Sequence, residues 1–183
     1  MPDIQTSPGG RRRDPLLGTV RFLLSIGMFL AIGLTIADLV AAPIVLIWRQ
    51  AILGELSRRS GSHLPAQLAY AISGAQFLIA VASLLAFQFI RKLRRIIDTV
   101  ADGDPFTPAN AVRLNEMAWL TVAMQFVAIP AGALAGWVSA LAKTRDFHIG
   151  ISLSGVLLAL ILFVLARIFR TGAAMRDELE GTV

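Results

Sequence analysis

Four long apolar stretches account for most of the chain. The ranges without any Asp, Glu, Lys, Arg or His are 64–90, 117–142 and 149–166, and the range 22–48 contains only Asp38. A helix crosses the hydrocarbon core of a bilayer with about 20 such residues. The pattern therefore predicts an all-α polytopic membrane protein with four transmembrane helices, at residues 17–38, 67–97, 112–141 and 149–170.

The segments around these helices are predicted to be two tails and a hairpin. Residues 1–15 contain Pro and Gly without apolar periodicity, which predicts a disordered tail before a single transmembrane domain, 16–183. Helices two and three are expected to continue past the membrane into a hairpin over 91–113, broken at Asp102-Gly103-Asp104-Pro105. Helix four is expected to run as an amphipathic helix into a tail over 171–183.

The first helix leaves two questions open. The basic run Arg11 to Arg13, followed by apolar residues, is similar to a signal peptide, but an uncleaved helix is the better interpretation because further spans follow. Residues 39–52 either continue this helix outside the membrane or lie along its surface, with Trp48 as an interfacial anchor.

The basic residues predict the orientation in the membrane. Of the 17 Lys and Arg residues, twelve fall in the terminal segments and the hairpin, and five fall in the other two loops. Because short cytoplasmic loops collect Lys and Arg, both termini and the hairpin are predicted to be cytoplasmic. The net charge of +5 is thus explained by topology, and direct binding of nucleic acid is not expected. The cluster Arg91, Lys92, Arg94 and Arg95 either contacts anionic lipids or forms a patch for a specific partner.

The residue types that carry most enzyme and metal chemistry are scarce. Hydrophobic residues make up 56% of the chain and charged residues 16%, and there is no cysteine, which excludes disulfide and thiol chemistry. The two histidines, His63 and His148, are far apart, and no nucleotide-binding or metalloprotease motif occurs. We therefore predict no catalytic, cofactor-binding or metal-binding residue and no enzyme activity.

Asp38 is the one acidic residue inside an apolar stretch. If helix one ends near it, Asp38 lies at the outer boundary of the membrane, where Arg49 or Arg58 would be its partner. The alternative is a polar site within the membrane, which would suit a small transporter or channel subunit, since deep carboxylates usually serve function.

A stripe of small residues follows one face of helix three. These residues are spaced by four and include one G-x-x-x-G motif: Ala128, Gly132, Gly136 and Ala140. Such a stripe lets a second helix approach closely. It predicts either packing within the chain or a homodimer.

Two segments resemble a known family. Gly103-Asp104-Pro105-Phe106, followed by Asn110 and Leu114, resembles the G-x-P-F-x-x-x-N segment of small bacterial membrane proteins called the domain of unknown function 2975 family. The stretch from Leu165 to Ala173, with Arg176 to Val183 after it, resembles the closing segment of that family. The resemblance covers the chain from helix one to Val183 and does not explain the N-terminal tail.

The resemblance implies a four-helix protein of the bacterial inner membrane whose biochemistry is not established. Genes of this family often lie beside one for a small helix-turn-helix regulator of the Cro type, so such a regulator is the expected partner, besides membrane lipids. Because both segments are expected on the cytoplasmic side, we predict one composite partner-binding surface formed by Gly103, Pro105, Phe106, Asn110, Phe169, Gly172 and Arg176.

Overall fold

The computed structural model describes residues 15–61, 64–142, 150 and 152–180. Within these residues the chain forms five helices and no strand: α1 (Pro15–Ile47), α2 (Arg49–Ser60), α3 (Gln67–Ala101), α4 (Pro108–Ala142) and α5 (Leu153–Glu180). The predicted N-terminal tail, His63 and His148 lie outside the described residues.

Four of these helices, α1, α3, α4 and α5, are long and apolar enough to cross a membrane. The prediction of an all-α protein with four transmembrane helices is therefore confirmed. The 35 residues of α3 and of α4 make each helix about 52 Å long at 1.5 Å per residue, against a hydrocarbon core of about 30 Å. Both helices therefore extend well beyond the core.

The first helix extends nine residues beyond its predicted end at Asp38. It continues through Pro43 to Ile47, and Trp48 (φ −96°, ψ 19°) separates it from α2. Residues 39–47 therefore continue the helix, and residues 49–52 belong to α2. The outward position predicted for Asp38 rested on a membrane boundary near this residue, and it stays a prediction, because α1 simply continues through the apolar run after Asp38.

The long helices pack as an antiparallel row in the order α1, α3, α4, α5. Each of them makes extensive contacts with its neighbour in this order, and no other pair of long helices in the described part of the chain does so. Helices α1 and α5 therefore form the two edges of the row and leave most of their surface open. On α1, exposed side chains such as Phe29 (76%) and Leu30 (68%) are apolar, as contact with lipid requires.

Specific contacts fix the register of α1 against α3. Arg21 Nε lies 2.8 Å from Asp98 Oδ1, a Cβ on Gly27 would lie 3.3 Å from Ile90, and Ser73 donates a hydrogen bond to a backbone carbonyl of α1, that of Ala42 (3.0 Å). This register also shows which residues of α1 and α3 lie side by side between these contacts. Asp38 lies level with the turn of α3 that contains Gln76, close to the middle of the uncharged stretch 64–90.

Helix α5 is displaced along the helix axis relative to α4. Its first turn lies at the middle of α4, where Gln125 Nε2 donates a hydrogen bond to the Ser152 carbonyl (2.6 Å). Ser152 Oγ caps the helix by accepting from the Gly155 N–H (3.1 Å). These two side chains supply polar partners to a helix start packed against an apolar span, where unpaired backbone groups would be costly.

The buried core consists of two clusters, one at each end of the long helices. At the end with the α3–α4 turn, here called the hairpin end, three helices meet in a buried cluster that includes Ile96, Met117 and Leu162. At the opposite end, Leu53 of α2 packs with Leu68 and Ala69 of α3. The hairpin end thus gathers α3, α4 and α5 around one core.

Candidate functional site

The turn between α3 and α4 depends on a glycine and a capping threonine. Gly103 has a φ of +89°, in the left-handed region that side chains other than glycine rarely adopt. Thr107 then starts α4, because its Oγ accepts a hydrogen bond from the Asn110 N–H (3.2 Å). Pro108 occupies the first helical position, where its missing N–H costs nothing.

A fully buried asparagine fastens this turn to both helices. Asn110 has no exposed surface, and its Nδ2 donates to the hydroxyl oxygen of Thr99 (2.7 Å) and to the carbonyl of Pro105 (2.9 Å). Its Oδ1 accepts from Arg113 Nη1 (2.7 Å). The amide thus bonds to the end of α3, to the turn and to α4 itself. This geometry explains why the segment needs an asparagine three residues after Thr107.

Phe106 connects the turn to α5. Its ring lies 5.0 Å from the ring of Phe169, centroid to centroid, and tilts by 41° against it. A Cβ on Gly172 would lie 3.0 Å from Phe106 Cδ1, so the glycine makes room for the ring. Arg176, one turn further along α5, forms an ion pair with Asp104. We call this contact between the turn and α5 the hairpin–α5 junction.

Of the seven residues of the predicted composite surface, Phe106, Phe169, Gly172 and Arg176 take part in this junction. The other three, Gly103, Pro105 and Asn110, belong to the turn and the start of α4. Asn110 is inaccessible and therefore cannot contact a partner directly, whereas Gly103 is exposed and shapes the turn. Phe106 (44% exposed) and Arg176 remain at the surface. Sequence reasoning missed Thr99 and Arg113, the two side chains that satisfy Asn110, because nothing in their spacing distinguishes them from other helical residues.

An apolar groove runs along α5 beside the junction. It has a volume of about 630 Å³ and is lined by Phe106, Val164, Arg167, Ile168, Thr171, Gly172 and Met175. Arg167 is the first charged residue after the stretch 149–166, so the groove continues past the apolar part of α5. Val164 (60% exposed), Met175 (57%) and Ile168 (54%) are its most open apolar side chains. We call this feature the α5 groove.

A comparison with known families identifies the chain. The family described as "Protein of unknown function (DUF2975)" matches residues 36–183. The chain belongs to this family. Its hairpin and closing segments had predicted this membership, and both lie within the match. No curated protein and no solved structure matches the chain.

The match begins inside α1, so residues 15–35 of α1 lie outside the part that this DUF2975 protein shares with its family. Asp38 and everything after it lie within the match. The residues of the α5 groove also belong to the shared part.

Asp38 lies between α1 and α3 of the DUF2975 protein, half-buried. Its Oδ2 atom is buried and has no hydrogen-bond partner among the described residues, and the same holds for Gln76 Oε1. The two arginines predicted as partners are engaged elsewhere: Arg49 Nη1 donates to the Tyr70 hydroxyl (2.7 Å), and Arg58 lies 4.0 Å from Glu55. Two unsatisfied acceptors therefore lie at similar depth in the apolar zone.

The small-residue stripe of α4 is only partly covered. Ala128 lines a cleft of about 410 Å³ between α3 and α4, with Leu78 and Ala82 on the facing helix. Gly136 is exposed, and a Cβ added there would meet nothing within 4 Å. Close packing inside the chain therefore does not account for Gly136, and the homodimer stays a prediction.

Proposed function

We propose that this protein is a non-enzymatic membrane protein that acts through its cytoplasmic face as a partner or sensor for a small helix-turn-helix regulator. The proposal places the hairpin and both termini in the cytoplasm of a bacterium, in the inner membrane. The bias of basic residues toward this side supports that orientation. The family match does not specify a biochemical activity.

The α5 groove is the observation that carries the proposal. An apolar side chain that extends beyond the hydrocarbon core gains little from lipid and is unfavourable in water, so a continuous row of them favours a partner. An open groove along a helix suits the apolar face of a partner helix. Arg167 adds a cation at the edge of the groove that could pair with an acidic residue of the regulator.

Through the hairpin–α5 junction, a movement of the membrane helices would alter the binding of the regulator. Phe106 belongs both to the junction and to the lining of the groove. A shift of α3 and α4 relative to α5 would move this ring and change the shape of the groove. A signal sensed within the membrane would reach the regulator by this route.

The test compares two neighbouring positions on α5. Met175 lines the groove, whereas Ala174 is exposed and lies outside it. The full chain is tagged and isolated from cell membranes with the regulator encoded beside it, and the bound regulator is quantified. Met175→Glu is expected to lose the regulator, and Ala174→Glu, which adds the same charge, is expected to keep it.

Three outcomes decide the proposal. Loss of the regulator in Met175→Glu alone supports the groove as its binding site. Equal loss in both variants would mean that charge on this face, and not the groove, governs binding. Absence of the regulator from the wild-type complex in mild detergent would contradict the proposed function.

A second candidate function, a small transporter or channel subunit, rests on Asp38. The unpartnered Oδ2 in the apolar zone is what favours it, since such carboxylates often form proton or ion sites. The test is proton or cation flux through the purified chain in vesicles. A flux that disappears in Asp38→Asn and persists in Thr35→Val would favour this candidate, whereas absence of flux in the wild type would exclude it.

A further inference from the structure

A narrow cleft opens between α1 and α3. It has a volume of about 170 Å³ and an apolar lining of Met28, Phe29, Ile32 and Phe87, with Ser25 and Arg94 at the end toward the hairpin. We call it the α1–α3 cleft. Its lining residues on α1 cover two helical turns, a length of about 10 Å.

Arg94 differs from two nearby cations, Arg21 and Lys92, which both form ion pairs. Arg21 is paired with Asp98, and Lys92 Nζ lies 2.5 Å from Glu116 Oε2. Arg94 is exposed and has no hydrogen bond or ion pair with any described residue. No acidic side chain lines the cleft. The positive charge at its mouth is therefore available to an anion.

A second arginine lies next to the cleft. The guanidinium carbon of Arg91 lies 5.9 Å from the ring centroid of Phe87, which forms part of the lining. Arg91 Nη2 donates to Gln88 (2.8 Å), and its Nε has no acceptor among the described residues. An anion at Arg94 would thus lie in the field of two cations.

The depth of Arg94 matches that of lipid headgroups. Arg91 is the first charged residue after the stretch 64–90, and Arg94 lies three residues further along α3, or about 4.5 Å. The headgroup layer extends about 5–7 Å beyond the hydrocarbon core on each side. The apolar lining extends from Arg94 in the opposite direction, into the core.

We propose that the α1–α3 cleft binds one anionic phospholipid of the leaflet at the hairpin end. The guanidinium of Arg94 binds the headgroup phosphate, for which its planar set of N–H donors is well suited. Part of an acyl chain lies against Phe29, Ile32 and Phe87. The bound lipid fills the space between α1 and α3 and tightens the attachment of an edge helix that, within the described residues, packs extensively against α3 alone among the long helices.

The charge of Arg94 is tested against that of its neighbour Arg95, which is also exposed and lies outside the cleft. The full chain is purified in mild detergent with phosphatidylglycerol and phosphatidylcholine of identical acyl chains, and bound lipid is counted by native mass spectrometry. The wild type is expected to retain one phosphatidylglycerol in preference. Arg94→Gln is expected to lower this retention about fivefold, the effect of one well-placed cation, and Arg95→Gln much less.

The cleft itself is tested without changing charge. Ile32→Trp fills the cleft with a larger side chain and is expected to expel the lipid. Ile36→Trp, one turn further along α1, is the matched control, because Ile36 is 58% exposed and does not line the cleft. Thermal unfolding of each variant verifies that the fold is retained.

Each alternative gives a different result. Equal losses in Arg94→Gln and Arg95→Gln would show diffuse attraction to the membrane surface and overturn the proposal. Retention of lipid in Ile32→Trp would likewise contradict it. Displacement of the lipid by excess inorganic phosphate would mean that Arg94 binds a bare anion and that the cleft contributes nothing.

Discussion

The Asn110 network at the hairpin end and the middle of the α1–α3 interface differ in how fully their buried polar groups are hydrogen-bonded. At the hairpin end, Asn110 is fully buried and its amide makes three side-chain hydrogen bonds. Between α1 and α3, the buried acceptors of Asp38 and Gln76 have no hydrogen-bond partner in the described part of the chain. Burial of a polar group stabilises a fold only when the group is satisfied. The first region therefore holds the structure together, and the second weakens it.

The largest expected effect comes from removing Asn110. Asn110→Ala leaves Thr99, Arg113 and the Pro105 carbonyl without their partner, and should lower the free energy of unfolding by about 2–3 kcal/mol. Unfolding in mixed micelles with increasing denaturing detergent measures this. Asn115→Ala is the control, since Asn115 is a half-buried residue of the same helix. Equal losses in both variants would contradict a special role for the Asn110 network.

The opposite sign is expected at Asp38. Asp38→Leu replaces an unsatisfied carboxylate by an apolar side chain and should raise the free energy of unfolding by about 2 kcal/mol, somewhat less than the full cost of an aspartate at the centre of a transmembrane helix. The same unfolding measurement checks it. Thr35→Val should change little, because the Thr35 hydroxyl is already bonded to the Ala31 carbonyl (2.8 Å). A destabilised Asp38→Leu would show that the carboxylate has a partner.

A gain in stability at Asp38 would also bear on function. Residues that weaken a fold and are nevertheless present often serve activity. If Asp38→Leu is more stable and also abolishes a measurable flux, the transporter candidate gains support. If it is more stable and the regulator still binds, Asp38 is not needed for the proposed partner role.

The sequence predicted the number of membrane helices because uncharged length alone decides it. It also grouped the residues of the hairpin–α5 junction, since turn chemistry and a short motif identified both segments. It placed Asp38 at the outer boundary because a single charge suggests a helix end, whereas the helix continues through Pro43 to Ile47. Only the register against α3 shows how deep Asp38 lies.

Other features could not be predicted from patterns along the chain. The displacement of α5 depends on Gln125 reaching Ser152 across two helices. The bonds of Asn110 to Thr99 and Arg113 depend on how α3 and α4 rotate about their axes. The α1–α3 cleft arises from the shapes of two packed surfaces. In each case the deciding contact joins residues whose spacing in the sequence carries no signal.

The smallest expected effect concerns the ion pair at the hairpin–α5 junction. The side chains of Arg176 and Asp104 are 48% and 43% exposed, so water screens their attraction. A double-mutant cycle with Arg176→Ala and Asp104→Ala should give a coupling energy of at most about 1 kcal/mol, which falls as salt is added. A coupling well above that value, insensitive to salt, would mean that the pair is shielded in the membrane-bound protein. The ion pair and the aromatic contact of Phe106 with Phe169 would then both stabilise the junction. The contrast between the paired polar groups of the junction and the unpaired acceptors of Asp38 and Gln76 among the described residues would become sharper.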